Sequence, residues 1–168
     1  FDTENMYRVL AEIYDVDILN GDNVKDNKEK MPKDRYSWSQ DTCTHFYNKH
    51  VDKAMKESNV MTGANIVIPK LKEKYEVIIV TARTEYEMNI TEKRLKEAKI
   101  DDIQIFYNQK DKNDILIKEN VDYLIDDDPN ICINASKNNI CTLYFKNNAC
   151  EKIENVNNES IEKLFNEG

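Results

Sequence analysis

No apolar run in this chain approaches the ~20 residues that a membrane-spanning helix needs, and no secretory leader is visible. A membrane partner is therefore not expected. Cysteine is scarce and scattered: Cys43, Cys132, Cys141 and Cys150 form no C-x-x-C pair. With no leader to carry them into an oxidising compartment they read as reduced thiols, and the expected location is cytoplasmic. Cys43, His45 and His50 lie near one another in sequence. Their spacing matches no standard zinc pattern, so a metal there is not expected. Basic residues form no stripe, and 24 Lys and Arg stand against 32 Asp and Glu, for a net charge of −8. That balance argues against a nucleic-acid partner. Repeats and low-complexity tracts are absent as well.

What is present suits a globular chain. The 168 residues are expected to form one domain, with 40% hydrophobic and 33% charged residues. Four β-rich runs stand out: "YEVIIVTA" (75–82), "IDDIQIFYN" (100–108), "VDYLIDD" (121–127) and "NICTLYFKN" (139–147). Their apolar stretches are nearly continuous, which predicts strands covered on both faces. Helical patterns lie between them. Residues 85–98 place Met88, Thr91, Leu95 and Ala98 on one face, 111–119 carries Ile115, Leu116 and Ile117, and 129–138 begins at Pro129, a favoured first helical residue. Strands alternating with helices predict right-handed βαβ units and a parallel sheet, an α/β fold.

Ahead of the first strand the pattern is helical throughout. Met6, Val9, Leu10 and Ile13 recur at helical spacing and predict an amphipathic helix over 3–14. Residues 20–36 are polar and charged, with Gly21 and Pro32, and read as a loop. Cys43, Phe46, Tyr47, His50, Val51, Ala54 and Met55 mark a second long helix over 38–57. A third face, Ala64, Val67, Ile68 and Leu71, has Pro69 inside it, which should kink or shorten that helix. A closing helix over 159–166 follows the cap-like Asn158.

The chemistry concentrates where strands end. "DYLIDDDPN" (122–130) runs from an apolar stretch into Asp126, Asp127 and Asp128. Three adjacent like charges repel, and a turn alone would more cheaply use Asn, Gly or Ser. Asp128 can cap the helix that starts at Pro129, but capping explains one carboxylate and not three. In open α/β sheets ligands bind beyond the carboxyl ends of the strands. There the first strand offers Thr81, Ala82 and Arg83, the second leads to Lys110 and Lys112, and the third ends in the carboxylates. Hydroxyl, backbone N–H and lysine together can cradle a phosphoryl group. Carboxylates repel phosphate, yet they suit a Mg²⁺ that bridges to it. Each residue has a plainer reading: Thr81 as a β-branched strand residue, Arg83 as a surface ion pair, Lys110 as a solvated charge, and Trp38, Phe46 and Tyr47 as core aromatics. The ordered set at successive strand ends outweighs those readings for Thr81, Lys112 and the carboxylates.

"VIIVTAR", a downstream lysine and "DYLIDDDPN" resemble motifs II, III and IV of the haloacid dehalogenase-like (HAD) phosphohydrolases. The closest likeness is to small nucleotidases related to the 5'(3')-deoxyribonucleotidases, and it extends over "VMTGANIVIPKLKEKYEVIIVTAR" to most of the chain. The resemblance implies a Rossmann-like core with a small helical cap from about residue 20 to 62. It implies Mg²⁺-dependent hydrolysis of a phosphate monoester, with a 5'-nucleotide as the substrate class. In its terms Thr81 is the motif II hydroxyl on the transferring phosphoryl group, and Ala82 and Arg83 lie where the family contacts substrate. Lys112, fourteen residues before Asp126, falls at the motif III lysine, with Lys110 as the neighbouring candidate. Asp127 takes the place of the main motif IV metal ligand, with Asp126 beside it.

One departure matters. Motif I of the family is an apolar strand ending in D-x-D-x-T, whose first aspartate attacks phosphorus. Phe1-Asp2-Thr3-Glu4 contains a D-x-E but no strand to carry it. In the family that strand lies between those ending here at Thr81 and Asp126, and its loss would leave ladder groups unpaired at about 1–3 kcal/mol each. The expectation is that motif I precedes Phe1 in the natural polypeptide. The alternative is a non-catalytic HAD-like binding or regulatory protein. A phospho-acceptor receiver domain fails on order, because its acidic pair precedes its threonine. The substrate's identity is not written in the sequence, and oligomeric state is open, a homodimer included.

Overall fold

Met6, Val9, Leu10 and Ile13 form one stripe, and the first helix turns that stripe inward. In the computed structural model, which describes residues 3–19, 31–57 and 60–145, helix α1 runs Thr3–Glu12. A π-helix, Ile13–Ile18, carries it on with a wider turn. The stripe packs on Phe46, Val51, Ala54 and Met55 of α3 (Gln40–Glu57), and all eight residues are buried. Tyr14, Trp38 and Phe46 close one end of this core edge to face, with centroids 4.7 Å apart for Tyr14 and Trp38 and 5.1 Å for Trp38 and Phe46. Trp38 and Tyr47 pack against the same core, so the plainer reading of these aromatics holds.

The stretch read as a loop contains a helix. α2 spans Pro32–Tyr36, with Pro32 at its start and Ser37 ending it in the left-handed region at φ 54°. Proline presets the helical φ, which outweighs the polar composition around it. Residues 20–30 lie outside the described part, as does the expected closing helix over 159–166. α4 spans Ala64–Lys72 with Pro69 inside it, and none of its residues is buried. Of the predicted apolar face Ala64, Ile68 and Leu71 are half-buried and Val67 is exposed.

The remaining elements alternate as expected but are shorter than their apolar runs. In order they are β1 (Ile78–Val80), a 3₁₀ turn (Glu85–Glu87) with α5 (Met88–Glu97), β2 (Gln104–Phe106), α6 (Asn113–Lys118), β3 (Tyr123–Asp126), α7 (Pro129–Lys137) and β4 (Cys141–Tyr144). Thr91 and Leu95 form the buried face of α5, while Met88 at its start is exposed. In α6, Ile115 and Leu116 are buried and Ile117 is exposed.

The strands form two sheets of two, β1 with β2 and β3 with β4. β3 and β4 are parallel, with Leu124 opposite Thr142 and Ile125 opposite Leu143. Contrary to the prediction, the described residues cover this sheet on one face only. Leu124 packs with Leu116, Ala135 and Ile140, whereas Tyr123 (60% exposed) and Ile125 (57%) face outward. Continuous apolarity was read as two covered faces, yet β3 alternates strictly between exposed and buried residues.

The chain divides into two compact units. One comprises 1–79 with 83–105, and the other 80–82 with 106–168. The first is mainly helical and is built on α1 and α3. The second holds the β3–β4 sheet with α6 and α7. The described residues are thus a mixed α/β chain with short parallel strands, and none of their helices is long and apolar enough to cross a membrane.

Candidate functional site

In the second unit, Thr81 follows β1 and is fixed through its backbone. Its N–H donates to the Phe106 carbonyl at 2.9 Å, and its own carbonyl accepts from the Gln109 N–H at 2.9 Å. These bonds secure the end of β1 to the segment leaving β2. Asn108 within that segment is in the left-handed region at φ 60°, which asparagine tolerates better than most residues. Three residues past Gln109 comes Lys112. The Asp111 carboxylate accepts from the Asn113 N–H at 3.0 Å and shapes the entry to α6. On the inner side, Val80 packs against the cluster of Leu116, Leu124, Ala135 and Ile140. One small core therefore positions the residue before Thr81, the helix after Lys112 and the strand that ends at Asp126.

Lys112 Nζ forms an ion pair with Asp126 Oδ2. The side chains are 14% and 5% exposed, so the pair is largely withdrawn from solvent. Asp126 Oδ1 accepts the Asp128 N–H at 2.9 Å. Its carbonyl accepts from the Phe145 N–H at 2.7 Å and from the Cys132 thiol at 3.7 Å. Both carboxylate oxygens of Asp126 are thus already engaged by the protein. Asp128 is extended and caps α7, accepting the Asn130 N–H at 2.8 Å, as capping chemistry predicted. Asp127 lies between them, half-buried. Burial, followed by the charges of Asp126 and Asp128, pushes the Cys132 thiol up to about 12.

The structure thus brings Lys112 and Asp126 together and holds Thr81 in the same unit. Lys110 is exposed. Ala82 is exposed beside Thr81. Arg83 belongs to the other unit, where its Nη1 donates to Thr91 Oγ1 at 3.0 Å.

Asp126 and Asp127 offer hard oxygens, the kind Mg²⁺ takes, but two carboxylates are few for about six ligand positions. No group of three or more metal-ligating side chains occurs among the described residues. Cys43, His45 and His50 accordingly form no such group. Burial, and then the charges of Lys49 and Lys53, hold the His50 imidazole below its ordinary range.

Sequence reading missed Glu87, a buried carboxylate that accepts from Thr84 and from Tyr47. Thr84-Glu85-Tyr86-Glu87 is a T-x-x-E capping signature ahead of a helix, so the signal was present. No protein-family model, curated protein or solved structure matches this chain.

Proposed function

We propose that this chain is a HAD-like phosphohydrolase that cleaves a phosphate monoester with Mg²⁺, a 5'-nucleotide being the substrate class. The observation that carries this reading is the buried pairing of Lys112 with Asp126 in the unit that also fixes Thr81. A lysine held by a carboxylate at a strand end keeps a directed positive charge beside the place where a phosphoryl group would sit. Such preorganised charge costs no reorganisation as the transition state forms. Thr81 would donate its hydroxyl to a phosphoryl oxygen. Asp127 would hold the Mg²⁺, with Asp126 behind it. Bound there, the cation would neutralise phosphate charge that the carboxylates otherwise repel. In the family that this chain resembles the nucleophile is a motif I aspartate.

The test is hydrolysis of p-nitrophenyl phosphate and of a 5'-nucleotide panel by the natural full-length polypeptide, with Mg²⁺ and after exhaustive chelation. Turnover that needs the metal and is lost in Lys112→Ala is the expected result. Metal-dependent binding of inorganic phosphate without turnover would replace this reading by the non-catalytic one. Neither binding nor turnover would remove both.

A further inference from the structure

Lysine is an unusual residue to stand where a helix begins. Lys112 is the N-cap of α6, makes no side-chain cap bond, and brings a cation to the positive end of the helix dipole. Ser, Thr, Asp or Asn would serve the helix better there. The capping falls instead to the residue before it. Asp111 Oδ1 accepts the Asn113 N–H at 3.0 Å, and the same oxygen accepts the Asn113 side-chain amide at 2.9 Å. A carboxylate only accepts, so the amide must turn its nitrogen to Asp111. That orientation leaves Asn113 Oδ1 buried and without a partner, which is unfavourable. A turn that served stability alone would keep the N–H bond and avoid the orphaned oxygen.

Lys112 is the residue that these two bonds bracket, and all the groups involved lie in the second unit. Its carbonyl accepts the Leu116 N–H at 3.0 Å, and its ammonium meets Asp126 at the end of β3. We infer that Asp111, acting through Asn113, is a positioning residue for Lys112: the paired bonds between its neighbours fix the backbone from which the ammonium reaches Asp126. The catalytic consequence rests on the phosphohydrolase reading; the positioning does not. A lysine side chain is long and rich in rotamers, so its head is aimed only when its stem leaves a fixed origin.

The experiment uses the full-length protein and follows the Lys112 ammonium by ¹⁵N NMR, assigned from its disappearance in Lys112→Arg. Asp111→Ala should move that signal toward the position of a solvated lysine. Asp111→Asn, whose amide oxygen can still accept the Asn113 N–H, should leave it in place. With a phosphate ester, Asp111→Ala should lower kcat about tenfold with KM within about twofold, and Asp111→Asn should restore kcat. On a Lys112→Ala background Asp111→Ala should lower kcat no further. Should Asp111→Ala fold poorly, Asn113→Ala takes its place: it loses one of the two bonds and the orphaned oxygen, and should move the signal without lowering stability in urea. A Lys112 signal unmoved in the variant that folds overturns the positioning role. A shift in Asp111→Asn as large as in Asp111→Ala overturns the turn as its cause, and kcat effects that multiply on the Lys112→Ala background overturn the link to catalysis. Absence of turnover in the unaltered protein sinks the phosphohydrolase reading and leaves the NMR result to decide the rest.

Discussion

At the residue scale, Asp126 and Lys112 each hold the other in a place too dry for a lone charge. Removing either strands its partner, so Asp126→Ala should lower stability by about 3 kcal/mol in urea titration. Lys112→Ala should also cut kcat/KM by at least about 100-fold, because the charge it removes is preorganised. Lys110→Ala should change kcat/KM less than about twofold, since an exposed ammonium supplies little. Kinetics on the pair decide which lysine acts, and a larger loss at Lys110 moves the assignment by two residues. The two neighbouring carboxylates should separate as well. Asp126 already gives its oxygens to Lys112 and to the Asp128 N–H, so in the proposed reading Mg²⁺ would lean more on Asp127. Calorimetry with Mg²⁺ should show Asp127→Asn losing more affinity than Asp126→Asn; the reverse order would exchange their roles. Among the described cysteines only Cys141 is exposed, while burial raises the thiols of Cys43 and Cys132. At pH 8, mass-spectrometric mapping of alkylation should find Cys141 modified ahead of both. A thiolate is the nucleophile, and a thiol held near 12 yields almost none at that pH.

At the element scale, β3 has two unlike faces. Leu124 is buried against α6 and α7, and Leu124→Ala should cost about 2–4 kcal/mol. Ile125 is its immediate neighbour and faces outward, so Ile125→Thr should change stability by less than about 1 kcal/mol. Equal losses in denaturant titration would mean that something covers the outer face in solution. This contrast was not legible in the sequence. "YLI" is uniformly apolar, and only packing reveals which side an apolar strand buries. The stripe on α1 was legible, because four apolar residues at helical spacing leave one way to bury them. α5 was legible for the same reason, α6 from the apolar Ile115, Leu116 and Ile117 between two strands, and α7 from Pro129, which also made Asp128 its cap. α2 was hidden because a single Pro32 outweighs charged neighbours that signal a loop. The Tyr47–Glu87 bond spans forty residues, and no local pattern announces a contact of that separation. Of the candidate site, sequence order put a lysine and carboxylates at strand ends, while only coordinates show Asp126 spent on Lys112.

At the scale of the whole molecule, the chain's charge and its proposed substrate have the same sign. A net charge of −8 makes the approach of a nucleotide phosphate unfavourable until it is within reach of Lys112 and of the Mg²⁺ that the proposed reading adds. Salt acts differently on these two parts. Raising ionic strength from about 0.01 to 0.15 M shortens the screening length from about 30 to 8 Å. That removes most of the long-range repulsion by scattered surface carboxylates. The contact between phosphate and a lysine whose side chain is mostly buried spans a few ångströms and is screened far less. Added potassium chloride at saturating Mg²⁺ should therefore raise kcat/KM for a 5'-nucleotide, by about twofold to fivefold, with kcat nearly constant. A protein whose field guides its anionic substrate behaves in the opposite way, with association slowing as salt rises. The measurement is an initial-rate series in salt with Mg²⁺ held saturating at each step. A fall in kcat/KM specific to the nucleotide would show that a local cationic surface, and not the net charge, governs its approach.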